Sequence, residues 1–464
     1  MTRRHPFRRL TAAGLAAAAL FITPAIFAAQ SDSPAAIDAW LSPWVAGNNF
    51  SGAVRVERHG QVLYERAWGF ADRENKLPNT PQTRFHIASV SMQFTAAAVL
   101  RLADQHALAL DDPIGPLVPG VPGSDRITVR DLLAERSGLP DINALPGYDA
   151  LLQRHQTPAS LLAAIAGHPL LFPPGSQYLH EEHSAYNALA LLIEQKTGLP
   201  FAAAMRRLIF QPAGMTDSFI DDDLEAGVSG VARGEQPLGI DGLQPAPAIH
   251  WSAKTGNASV CTTVADQARW IRELFTGGLL SASSRRSMLD PAQPIGYGWF
   301  RRPNPRFGEL TYSMNGRAPG FASFVLYLPR EDLTVVVFSN IYSSATTDIG
   351  YDIAAIALGL PHGAFHTTPL TAAALASTAG TFQFGPDFFQ KNAQLTIVPV
   401  TGGLALRWPS GDLSPLIPQS PDHFIDRSYW EPVTLERDPT GHPSALVYDT
   451  FRGTAVATHP EQSP

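Results

Sequence analysis

The chain has a single cysteine, Cys261, among 464 residues. An internal disulfide is therefore excluded, and so is a cluster of cysteine metal ligands. Charge is sparse, with Asp, Glu, Lys and Arg making up 16%. Acids outnumber bases by 41 to 34, and no basic stripe runs along the chain. A nucleic-acid partner is not expected on that balance. Long apolar runs are missing too. The run "AAGLAAAALFI" (12–22) is too short to cross a bilayer as a helix, and no later segment is long enough. No motif period repeats, and no cofactor is implied.

What is present begins with "MTRRHPFRRL", which carries four arginines ahead of that apolar run. Residues 1–29 read as a secretory signal, cleaved near Ala28 or Ala29. The alternatives are an uncleaved anchor and, from the paired arginines, a twin-arginine route. Removal of the signal takes the formal charge from −7 to −11. A bacterial periplasm or the cell exterior is the expected location. Apolar residues make up 45%, enough for a large core, and 40 prolines with 37 glycines imply many turns. The length predicts two or three domains.

Residues 32–47 predict a short helix, and 50–72 alternate about His59-Gly60 as a hairpin does. Helical spacing runs from Ser89 to Leu102, then over 127–142, 184–200, 201–215 and 263–278. The segment 309–340 reads as three strands joined by turns, ending on the β-branched run "LTVVVFSN". The expected fold is α+β, an antiparallel sheet flanked by helices over 36–360. A linker follows at 361–375. Seven short strand-like segments between 376 and 460 predict a small C-terminal β-barrel or sandwich.

Several stretches then carry a resemblance. They are "RFHIASVSMQFTAAAVLRLADQHALALDDPI" (84–114), "ITVRDLLAERSGLPD", "LFPPGSQY" (171–178) and "GRAPGFASFVLYLPREDLTVVVFSN" (316–340). Together they resemble the serine β-lactamase and DD-peptidase superfamily, in its class C-related branch of esterases and D-aminopeptidases. The resemblance spans about residues 36–360, and the C-terminal β domain is similar to an accessory domain of some members. It implies a serine nucleophile at Ser89, with a lysine one helical turn on as its base. Here Met92 holds that place, and a thioether takes no proton at neutral pH. The family's Tyr-x-Asn motif falls on His180-Glu181-Glu182 or on Glu181-Glu182-His183, depending on the direction of counting. Its third motif, Lys-Thr-Gly or His-x-Gly, falls on Met314-Asn315-Gly316. Glu135-Arg136 also departs from the histidine and threonine that relatives often carry before "SGLP". The backbone N–H groups of Ser89 and Arg317 take the implied oxyanion positions. Met92, Tyr178, Met314, Asn315 and Gly316 are the expected ligand-lining residues. A literal Lys254-Thr255-Gly256 stands elsewhere and is read as a solvent-facing turn.

Three functions stay open on these residues. In the first, the cleft binds a small-molecule or peptide-like ligand as a pseudoenzyme. In the second, Ser89 is a hydrolase nucleophile whose base is His180 or His183, oriented by Glu181 or Glu182. In the third, one of those glutamic acids supports non-hydrolytic acid–base chemistry. "HEEH" lacks the zinc-peptidase spacing, so no metal is expected there. The oligomeric state stays open.

Overall fold

The computed structural model describes residues 33–179, 182–222, 229–290 and 292–456. The expected signal at 1–29, and His180 and Glu181, lie outside the described residues. Helix α1 (Ser33–Ala46) leads into strands β1 (Gly52–Arg58) and β2 (Gln61–Trp68). A 3₁₀ turn at Ala88–Ser91 opens helix α2 (Met92–Asp104). Helix α3 (Val129–Leu133) and helix α4 (His183–Thr197) follow. A small hairpin comes next, β3 (Glu235–Leu238) and β4 (Gly242–Pro245), then helix α5 (Val264–Thr276). Strands β5 (Ile295–Gly296), β6 (Trp299–Asn304), β7 (Glu309–Ala318), β8 (Phe321–Leu328) and β9 (Leu333–Ser339) precede helix α6 (Thr346–Ala357).

The main sheet is antiparallel, in the order β5-β6-β7-β8-β9-β1-β2. The β1 strand thus pairs with β9, from the far end of the domain, so the two ends of the chain segment close the sheet. Strand β9 is buried on both faces. Val336 and Phe338 face the core under α2, α4 and α5, while Leu333, Val335 and Val337 face the core under α1 and α6. A strand packed on both faces needs an unbroken apolar run, which explains "LTVVVF". Gly52 is obligatory beside it, because a Cβ there would lie 1.8 Å from the Phe338 carbonyl oxygen.

Among the described residues no helix is long and apolar enough to cross a membrane. Most expected helices appear close to their predicted bounds. The helix expected over 127–142 does not run that far. It ends at Leu133, and Glu135 follows at φ 54°. A left-handed residue stops a helix before Gly138 or Pro140 can.

The C-terminal region is a closed eight-stranded barrel. Its strands are β10 (Gly380–Gln383), β11 (Gln394–Val400), β12 (Gly403–Arg407), β13 (Leu413–Pro418), β14 (His423–Asp426), β15 (Pro432–Arg437), β16 (Pro443–Tyr448) and β17 (Phe451–Ala455). Strand β13 has no counterpart among the seven predicted segments, because Pro415 and Pro418 argue against a strand. The barrel is docked firmly. Trp430 and Ile417 join the core of α1 and α6. Arg427 is 1% exposed. Its guanidinium donates to Asn49 Oδ1 at 2.8 Å, to the Asn48 carbonyl at 2.8 Å, and to the Gly239 and Gly242 carbonyls at 2.7 and 2.8 Å. Burial away from water holds its pKa down, at about 10.

Candidate active-site cleft

Ser89 is half-buried on the 3₁₀ turn, just ahead of α2. Ala88 before it adopts φ 48°, a left-handed conformation unusual for alanine. The turn is held from several sides. Ser323 Oγ donates to the Ile87 carbonyl at 2.6 Å, the Ile87 N–H donates to Val260, and the Val260 N–H donates to Ser91 Oγ. Strand β7 lies against it. A Cβ on Gly316 would sit 2.7 Å from Ser89 N and 2.6 Å from the Ile87 carbonyl oxygen. Only glycine admits that approach.

Beyond Ser313, β7 has no strand partner on its β6 side among the described residues. Residues 314–318 therefore form an open strand edge beside Ser89. The hairpin to β8 closes at Ala318–Phe321, and Arg317 is the next pair, with Ala322. Alternation of antiparallel bonding then turns the Arg317 N–H outward, to that edge. The Arg317 side chain runs the other way. Its guanidinium lies between Tyr342 and Tyr429, 4.5 and 4.0 Å from the ring centroids, and donates to the Ser428 carbonyl. One residue thus touches the open edge through its backbone and the barrel through its side chain.

Met92 and Met314 are 2% and 4% exposed, packed in one core. Asn315 is exposed and Tyr178 half-buried. Residues 135–138 and 171–179 are stitched together by backbone bonds: Leu171 N–H to Gly138, Gly175 N–H to Arg136 and Leu179 N–H to Glu135. Two segments distant in sequence, "ERSG" and "LFPPGSQY", so become neighbours.

Glu182 is fully buried where α4 begins. It accepts the N–H groups of Ser137 at 3.1 Å and Gly138 at 2.6 Å. Burial pushes its pKa up to about 7, against the opposing pull of those donors. Both oxygens are occupied by backbone, so Glu182 is not the carboxylate that orients His183. That group is Asp141, whose Oδ1 lies 3.0 Å from His183 Nδ1. The other ring nitrogen of His183 has no hydrogen-bond partner among the described residues. Sequence reasoning passed over Asp141. Its only signal was a carboxylate just after Pro140, and it is the fold that sets it opposite a histidine 42 residues on.

The Lys254-Thr255-Gly256 turn also differs from expectation. Lys254 is not solvent-facing but 8% exposed, with Nζ 4.9 Å from the Tyr148 ring centroid. The turn is threaded between two helices. Thr95 on α2 donates to the Gly256 carbonyl, and Asn187 on α4 donates to the Thr255 carbonyl, both at 2.7 Å. Spacing could not reveal that the turn is wedged inside the core.

A family model described as Beta-lactamase matches residues 37–358. The chain belongs to the beta-lactamase family. Putative penicillin-binding protein PbpX of Bacillus subtilis (strain 168) is 27% identical over 308 residues, covering 66% of this chain and 74% of that protein. Esterase EstB of Burkholderia gladioli is 34% identical over 254 residues, covering 50% of this chain and 64% of the esterase. In fold, the octameric penicillin-binding protein homologue from Pyrococcus abyssi superposes with a TM-score of 0.64 at 20% identity, covering 90% of this chain and 99% of that one. That coverage extends past the family match, so the likeness of fold takes in barrel as well as sheet domain.

Proposed function

We propose that this beta-lactamase family member is a binding protein, which holds a peptide-like or apolar small molecule against the open edge of β7 and does not acylate itself through a serine–lysine pair. The observation that carries this reading is the pair of buried thioethers, Met92 and Met314, at the two positions where the family resemblance implies cations. A thioether neither removes a proton nor fixes a carboxylate, but it shapes an apolar wall well. The open edge supplies backbone donors and acceptors for an extended ligand. Export is part of the same reading, supported by the arginine-rich start and the short apolar run behind it.

The His183–Asp141 pair favours a second reading, a serine hydrolase. Ser89 Oγ would attack an acyl carbon and pass its proton to His183 Nε2, with Nδ1–H held by Asp141. The proton would then go to the leaving group. The N–H groups of Ser89 and Arg317 would face the developing oxyanion. Acid–base chemistry through Glu182 finds no support in its position, because both of its oxygens already accept from backbone.

One experiment separates these readings. The intact protein is treated with a fluorophosphonate and with a labelled penicillin, and its mass is measured. The binding reading expects no adduct. An adduct on the native chain that vanishes in Ser89→Ala overturns it. The hydrolase reading further expects Asp141→Asn to slow labelling by roughly a hundredfold or more.

A further inference from the structure

A second candidate site does not have Ser89 among its lining residues. Between the β3–β4 hairpin and the barrel is a cavity of about 820 Å³, within the range typical of small-molecule sites. Gln236 and Gln244 line it and are direct cross-strand partners, so both amides project from the same face of the hairpin. Both are half-buried, and neither side chain bonds to any described residue. Each amide keeps two donors and an acceptor unspent.

The barrel supplies the facing wall. Trp408 and Tyr429 line it with ring centroids 5.2 Å apart. Leu413 and Tyr429 of the barrel are 49% and 38% exposed, and Leu238 on the hairpin side of the cavity is 53% exposed. Three large apolar side chains left in water around one cavity mark a surface awaiting a ligand. Among the described residues, Asp241 and Asp412 are its charged lining residues, and no Lys, Arg or His lines it.

The walls do not need to be assembled on binding. Arg427 of the barrel holds the Gly239 and Gly242 carbonyls at the hairpin tip. Locking the two walls together lowers the ordering cost of capture.

This lining excludes several ligands. Phosphates and carboxylates would meet two carboxylates, while the guanidiniums of Arg317 and Arg427 stand behind the lining, bonded to its Ser428, Gly239 and Gly242 carbonyls. A wholly apolar compound would strip water from the two amides without replacing it. A ring with an apolar C–H face and a rim of hydroxyls satisfies both walls. The face lies on the aromatic and leucine side chains, and the hydroxyls meet the amides and carboxylates.

We propose that the crevice between the β3–β4 hairpin and the barrel is a binding site for a neutral oligosaccharide. The proposal is independent of whether Ser89 reacts. It is tested by calorimetric titration of the full chain with cellotriose, maltotriose and chitotriose, and with trilysine as a cationic competitor. The expected result is saturable binding of at least one trisaccharide, weakened by about tenfold or more in the double variant Gln236→Ala, Gln244→Ala. Trilysine should not bind. If the double variant fails to fold, Leu413→Arg blocks the mouth from the barrel side, with the same loss expected. No saturable binding of any trisaccharide up to ~10 mM overturns the proposal. So does binding that is unchanged in a folded variant, or binding of trilysine in the sugars' place.

Discussion

The seam beneath the barrel and the cleft around Ser89 bury chemistry in opposite ways. In the seam, Arg427 is almost wholly buried, yet five oxygens accept from its guanidinium. Arg317 nearby lies between two tyrosine rings. In the cleft, Met92 and Met314 are as deeply buried but ask for no partner. The chain therefore buries cations where acceptors surround them. The methionines do not reflect a general inability of this fold to hold charge. A buried cation costs most when its acceptors are missing.

The largest test of this contrast is Arg427→Met, which puts into the seam what the cleft already has. It should strand the acceptors of that guanidinium, the buried Asn49 Oδ1 among them, and cost on the order of 4 kcal/mol in urea unfolding. A loss below about 1 kcal/mol would mean that the guanidinium is not what fastens the barrel.

The next effect concerns Glu182, a buried carboxyl where α4 begins. Its carboxyl has an ordinary value of about 4.3 and is pushed up to about 7 by burial. The folded chain therefore binds this proton more tightly than the unfolded one. Its contribution is present in full below about pH 4 and is lost as pH rises to about 7. Glu182→Gln should remove that pH dependence, on the order of 3 kcal/mol between the two ends. Urea unfolding at a series of pH values checks it, and an unchanged slope would show that the backbone donors, not burial, govern the group.

The smallest effect is expected from Met92→Lys, the converse substitution. An ammonium set into a core shaped for a thioether should cost ~2 kcal/mol. It should also bring no hydrolysis of a nitrophenyl ester, since Met314 is unchanged. A stable variant that gains esterase activity would show that the cleft still has room and acceptors for a lysine, erasing the contrast with the seam.

Much of the fold was legible in the sequence because it rests on periodicity and punctuation. The run "LTVVVF" reads as a doubly buried strand whatever its neighbours, and Gly198 ends α4 through its own left-handed conformation. The site was legible only in part. Ser89 and Gly316 were singled out because short local motifs flank them, and the fold sets them side by side. Asp141 was missed and Lys254 misplaced, because their roles depend on segments far away in the chain. Strand β13 was missed because its two prolines speak against a strand locally, while closure of the barrel supplies partners on both sides.

By itself the sequence determined the α+β class, the family and the serine at the head of α2, since each follows from local pattern and side-chain size. Only the tertiary structure decided which carboxylate faces His183, that Glu182 is spent on backbone donors, and that Arg427 joins barrel to sheet domain. Those are contacts between residues tens to hundreds of positions apart. Their energies depend on burial and distance, which the linear order of residues does not contain.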